Sequence, residues 1–143
     1  MAEIFVDMFK LGRAASPDIL FSGGLGPCVA IAVYNPHIKT GYMMHEPNLG
    51  IRRNSLKEFI SAIKRETTNM LELKVCATGS SPFYDGEGLL IDCKESRRIA
   101  EDTIRKEFQK KNVRIEWTPQ NFSSALSLYT ETGKFEITRF PES

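Results

Sequence analysis

Cys28-Val29-Ala30-Ile31-Ala32-Val33-Tyr34, followed by Asn35-Pro36-His37-Ile38-Lys39-Thr40-Gly41 and then Tyr42-Met43-Met44-His45-Glu46, is the stretch that decides the fold. The first seven residues are apolar at odd and even positions alike and rich in β-branched side chains. That pattern suits a strand covered on both faces. The middle stretch is turn chemistry, and the third is the next strand. A hairpin with no solvent face needs a layer on each side.

Working outward, Ser55 with Glu58 three residues later has the form of a capping box opening a helix. Leu56, Phe59, Ile60 and Ile63 follow the i, i+3, i+4, i+7 spacing of a one-sided helix. Leu71 to Ala77 reads as a strand, and Thr78-Gly79-Ser80-Ser81-Pro82 as a polar loop. A second helix begins near Asp92 or Ser96 and turns Ile99, Ile104 and Phe108 inward, with Lys110, Lys111 and Asn112 at its C-terminal end. Ile4 to Leu11 reads as an opening strand. Val113 to Trp117, Ala125 to Tyr129 and Lys134 to Thr138 read as closing strands, the last two joined by Thr130-Glu131-Thr132-Gly133. Two main helices among seven or eight strands in mixed order predict an α+β fold, a mixed α/β layered sandwich. Without a linker or repeat, residues 1–143 read as one domain.

Composition narrows the function classes. Hydrophobic residues make up 41% of the chain and charged residues 26%, which suits a protein with a packed core. The formal charge of +1, with Arg52–Arg53 and Lys110–Lys111 as mere pairs, argues against nucleic acid or an anionic membrane as partner. No apolar run is long enough to span a bilayer, and the N-terminus lacks a basic-then-apolar leader. Three widely spaced cysteines, Cys28, Cys76 and Cys93, do not form a disulfide framework, so a reducing cytoplasm is the expected location. Cys76 reads as core, and Cys93 as packing near a helix start.

Chemistry concentrates in Ser22-Gly23-Gly24-Leu25-Gly26-Pro27-Cys28. The glycines permit unusual backbone and close ligand approach. A cysteine where that loop meets a rigid strand has both access and a fixed position. A thiol is mostly protonated at neutral pH, so a nucleophilic cysteine needs a base. The two histidines are His37, in the turn, and His45, on the strand that returns past Cys28. Hairpin pairing brings His45 beside Cys28. Ser22, six residues before the cysteine, is a candidate acceptor to hold the imidazole in its tautomer. The same residues also suit Cys28 as a small buried hydrophobe. A phosphate cradle lacks the Lys-Ser/Thr of a Walker loop and the G-x-G-x-x-G of a dinucleotide fold. No C-x-x-C or H-x-x-x-H spacing calls for metal, so no metal or cofactor is expected; a site built from Cys28, His37 and His45 is the minor alternative.

Gly24-Leu25-Gly26-Pro27-Cys28-Val29-Ala30-Ile31, then Tyr34-Asn35-Pro36, Gly41 and His45, resembles the CheD family of chemoreceptor glutamine deamidases. That family reads G-x-G-S-C-V-x-V, D-P and G-G-x-x-H, with a threonine six residues before the cysteine. The step of seventeen from Cys28 to His45 matches. Fainter likeness covers nearly the whole chain. The resemblance implies conversion of glutamine to glutamate and ammonia on a protein with exposed glutamine side chains, a chemoreceptor above all, through a Cys28–His45–Ser22 triad. It also implies a substrate and oxyanion loop at Gly24, Gly26 and Pro27, and a CheC-type phosphatase as partner. Pro27 replaces the family's serine, Ser22 its threonine, and Glu46-Pro47-Asn48 a more apolar segment. Those departures keep open a catalytically weak binding module of the same fold, and a more general cysteine amidase or peptidase.

Overall fold

The computed structural model describes residues 1–142. Eleven strands and two helices occur among them: β1 (Glu3–Phe5), β2 (Lys10–Ala15), β3 (Ile19–Leu25), β4 (Val29–Asn35), β5 (Thr40–Glu46), α1 (Arg53–Arg65), β6 (Lys74–Gly79), β7 (Phe83–Tyr84), β8 (Leu90–Ile91), α2 (Lys94–Glu107), β9 (Val113–Trp117), β10 (Phe122–Tyr129) and β11 (Lys134–Pro141). A five-stranded sheet has the order β2-β5-β4-β6-β9, and a four-stranded sheet the order β1-β3-β10-β11. The short β7–β8 hairpin stands apart from both.

The α+β class expected from the sequence is the fold observed, in three layers. Helices α1 and α2 cover one face of the five-stranded sheet, burying Leu56, Phe59, Ile60, Ile63, Ile99, Ala100 and Ile104 against Val29, Ile31, Val33, Tyr42 and Met44. The other face packs on the four-stranded sheet through Cys28, Ala30, Ala32, Met43 and Cys76, which meet Leu20, Leu25, Leu126 and Leu128. Every residue of β4 and β5 is buried, because both their faces are covered. The two faces differ in bulk. On β4 the helix side is β-branched, while the inter-sheet side carries Cys28, Ala30 and Ala32. Small side chains there let the second sheet come close.

Several boundaries differ from the sequence reading. The stretch from Ile4 to Leu11 is two strands in different sheets, β1 and β2, separated by Val6–Phe9; Phe9 adopts φ 69°, which breaks the run. Ser22-Gly23-Gly24, expected as loop, lies inside β3, which pairs parallel to β1 and antiparallel to β10. Helix α1 begins at Arg53, so Ser55 falls inside it; its hydroxyl donates to the Arg52 carbonyl (2.7 Å) and no capping box forms. Leu71 belongs to a 3₁₀ turn, and Thr78 and Gly79 extend β6. Lys110–Asn112 form a separate 3₁₀ turn after α2. No helix among the described residues is long and apolar enough to cross a membrane.

Gly41 marks how tightly the sheets approach. A Cβ there would stand 2.6 Å from Leu128 Cδ2, 3.0 Å from Thr130 Cγ2 and 3.2 Å from Leu20 Cδ1. Gly41→Ala is expected to cost about 1–3 kcal/mol as an overpacked core. A thermal melt measures it, and an unchanged melting temperature would show that the layers can part without penalty.

Candidate active site

The β4–β5 ladder sets the pair. Ala30 lies directly across from His45, and Cys28 is two residues before Ala30 on the same, inter-sheet face. Diagonal neighbours of this kind are about 7–8 Å apart at the backbone, within reach of a long side chain. Ala30 is small and lies between them, and the thiol makes no hydrogen bond to the imidazole. Cys28 is 5% exposed and His45 3%.

The imidazole is oriented by backbone. His45 Nδ1 lies 3.2 Å from the Val6 carbonyl oxygen, an acceptor, so Nδ1 carries the proton. Nε2 is then a lone pair, and it is buried without a hydrogen-bond partner. Ser22, fully buried, does not accept from the imidazole as the sequence reading supposed. Its hydroxyl donates to the same Val6 carbonyl at 2.7 Å. Serine and histidine therefore meet on one oxygen, which has two lone pairs. Val6 is fixed in turn by its own N–H to the Phe21 carbonyl at 2.7 Å. The acceptor that sequence reasoning missed is a main-chain atom, for which no residue type gives a signal.

The glycine segment is likewise more constrained than expected. Gly24, at φ 64°, lies in β3. The Gly26 N–H donates to the Gly24 carbonyl (3.0 Å), and Pro27 has no N–H at all. Of the amides near the thiol, that of Cys28 itself donates to no acceptor among the described residues. From the other side, Ser80 N–H donates to the Cys28 carbonyl (2.7 Å) and Ser81 N–H to the Gly26 carbonyl (2.8 Å). Gly79 bends under that contact with φ 97°, where a Cβ would lie 2.1 Å from the Cys28 oxygen.

Electrostatics leave the pair uncharged. Burial above all, then the Glu46 carboxylate and the Cys93 thiol, push the Cys28 thiol up to about 11. Burial also lowers His45 below its ordinary 6.5, against the opposing pull of the Val6 carbonyl, Asp7 and Glu46. The histidine does not hold Cys28 as a resting thiolate. Glu46, 1% exposed, is bound by the Arg52 guanidinium (3.1 and 3.4 Å), which also lies 5.1 Å over the Phe9 ring.

A groove of about 420 Å³ is lined by Pro27, Pro47, Phe83, Ile91 and Cys93 together with the charged Asp92, Lys94 and Glu95; Cys28 and His45 lie behind it and do not line it. On the β7–β8 hairpin that lends Phe83 and Ile91 to the groove, Tyr84, Leu89 and Leu90 are each roughly half exposed or more. His37 sits at the far end of the hairpin, exposed and paired with Glu72. It cannot join Cys28 and His45 around one ion. Cys76 is fully buried in the inter-sheet core, its thiol pushed up to about 12, and Cys93 immediately precedes α2.

Fold and site together define a layered α+β protein with a buried cysteine and a buried histidine on one hairpin, close in sequence to a groove at Pro27 and Pro47. No family model matches the chain. It is 31% identical over 132 residues to the probable chemoreceptor glutamine deamidase CheD 1 of Syntrophus aciditrophicus (strain SB), covering 82% of this chain and 81% of that protein. The chain belongs to the CheD family.

Two consequences are measurable. Gly79→Ala should displace the Cys28 carbonyl and add backbone strain of about 1–3 kcal/mol, since the φ there suits only glycine. A melting temperature and a Cys28 amide shift equal to those of the parent would contradict the close contact. Stability should also depend on pH in a set direction. Below 6.5 the unfolded chain takes a proton that buried His45 refuses, so stability present above 6.5 is lost as pH falls. Above 9.0 the unfolded thiol releases a proton that folded Cys28 keeps until about 11, so stability falls again as pH rises. His45→Gln should flatten the acid side of a plot of melting temperature against pH.

Proposed function

We propose that this protein is a cysteine-dependent protein-glutamine deamidase, with Cys28 as nucleophile and His45 as general base. The observation that carries this reading is the His45 ring: Nδ1 is tied to Val6, and Nε2 faces no partner although it is buried. A buried acceptor left open costs stability, and a native fold keeps such a group where it has a use. Proton transfer from the thiol is that use.

The chemistry follows from a neutral pair. As Cys28 Sγ attacks the side-chain amide carbon, its proton passes to Nε2, so charge appears only with the substrate in place. The Cys28 N–H is the loop donor left for the resulting oxyanion, since Gly26 has spent its own and Pro27 has none. The protonated Nε2 then gives its proton to the departing ammonia, leaving a thioester. Water, deprotonated by Nε2, attacks that carbon and releases glutamate and the thiol. Val6 and Ser22 act by position: the carbonyl keeps Nδ1 protonated, and the Ser22 hydroxyl fixes the carbonyl.

The exposed apolar side chains of Tyr84, Leu89 and Leu90, on the hairpin next to the groove, suit a glutamine presented on a protein surface better than a free polar amide. The relative's name supplies the protein class, a chemoreceptor. A second reading, a binding module with little turnover, draws on the high pKa of the Cys28 thiol, which makes attack depend wholly on His45.

Mass spectrometry of a purified chemoreceptor cytoplasmic fragment separates these readings through the gain of about one dalton for each Gln→Glu conversion. Cys28→Ala and His45→Gln should lower turnover by at least about a hundredfold, while His37→Ala should leave it near the parent value. The acid limb of kcat/KM should lie below pH 6.5, because His45 must be neutral to accept the proton. Conversion that survives Cys28→Ala would sink the nucleophile assignment.

A further inference from the structure

We propose that Arg97, on α2, is a positioning residue for Cys28, acting through the bend at Gly79–Ser80. The proposal rests on Cys28 being the nucleophile and adds a residue outside the groove to the machinery that aims it.

The bend is costly. Strand β6 ends in two consecutive residues with positive φ, Gly79 at 97° and Ser80 at 55°. The second is not glycine, so the conformation must be held from outside. Its effect is to point the amides of Ser80 and Ser81 at the carbonyls of Cys28 and Gly26, at 2.7 and 2.8 Å. These two bonds tie the segment 26–28 to the turn that ends β6.

The same turn buries the Ser80 residue completely, carbonyl included, and that oxygen needs a donor. Arg97 supplies it twice, from Nε at 3.1 Å and Nη2 at 2.6 Å. Nη2 also reaches the Thr118 carbonyl at 3.3 Å, while Thr118 N–H donates to the Gly79 carbonyl at 2.9 Å. One planar cation therefore joins both segments that form the bend, a task suited to the fixed fork of a guanidinium. Arg97 is itself steadied: it lies 6.0 Å over the Trp117 ring, and Trp117 Nε1 donates to Glu101 at 2.6 Å.

Without the guanidinium the Ser80 carbonyl is orphaned, the left-handed pair relaxes, and the amide that holds the Cys28 carbonyl moves. A thiol displaced by about an ångström from its base is expected to lose about a hundredfold in rate, with substrate binding in the groove retained.

The test uses the full chain and two readouts. On the chemoreceptor fragment, Arg97→Ala should lower kcat by about a hundredfold with KM within about twofold, and Arg97→Lys, able to reach one carbonyl, should fall between. Millimolar guanidinium should restore part of the kcat of Arg97→Ala. Without substrate, iodoacetamide should label Cys28 several-fold faster in both variants as segment 26–28 loosens, with Cys76 labelling unchanged. If kcat per folded molecule and Cys28 labelling both match the parent while only the melting temperature drops, Arg97 is structural and the proposal fails. Should Arg97→Ala not fold, Arg97→Lys decides alone, and parental kcat and labelling in it overturn the proposal. Cys28→Ala in the same assay keeps the two ideas apart. Turnover surviving it removes the nucleophile, whereas turnover lost there but intact in Arg97→Ala removes only the positioning role.

Discussion

The close approach of two sheets across small side chains governs this molecule. Ala30, Ala32 and Gly41 keep the inter-sheet face of β4 and β5 low, and Leu20, Leu126 and Leu128 from the other sheet fill the space. Only because that second sheet comes so near can a carbonyl at the end of β1 reach an imidazole on β5. The helix side of the same strands is built oppositely, with Val29, Ile31 and Val33 holding α1 and α2 at a wider distance. One face of the hairpin thus provides stability, and the other provides room for chemistry.

Burial also sets the electrical state of the site. A thiol beside an imidazole suggests an ion pair, but an ion pair out of water requires more compensation than one carbonyl and one hydroxyl provide. Both groups rest neutral, and the nearby Glu46 carboxylate, matched by Arg52, reinforces that choice at Cys28. A neutral cysteine is a poor target for stray electrophiles and oxidants, which attack the thiolate.

Much of this was legible in the sequence. The continuous apolar run from Val29 to Tyr34, the turn after it and the helical spacing of Leu56, Phe59, Ile60 and Ile63 all correspond to observed elements. These signals are local and depend on side-chain type. What escaped was written in the backbone. Ser22-Gly23-Gly24 looks like loop because glycine weakens strands, yet pairing with β1 and β10 on both sides overrides that preference. The apparent strand from Ile4 to Leu11 conceals a left-handed residue, Phe9, that sends its halves to different sheets. The acceptor for His45 is a peptide oxygen at Val6, and no pattern of residue types distinguishes one carbonyl from another. Arg97, eighteen residues past Gly79 in a helix of mixed charge, likewise reads as a solvated cation until the bend it caps is seen.

The parallel pairing of β1 with β3 has a further consequence, in the timing of assembly. Cys28 and His45 meet in a local hairpin that can form as soon as residues 28–46 exist. The Val6 carbonyl is brought to them by β1, whose neighbour β3 is flanked on its other side by β10, residues 122–129. Contacts of such sequence separation form late in folding. A ribosome-bound or truncated chain lacking β10 would hold thiol and imidazole together with the ring unaligned. The acceptor of the His45 ring thus depends on a sheet completed by a strand far along the chain from the hairpin itself.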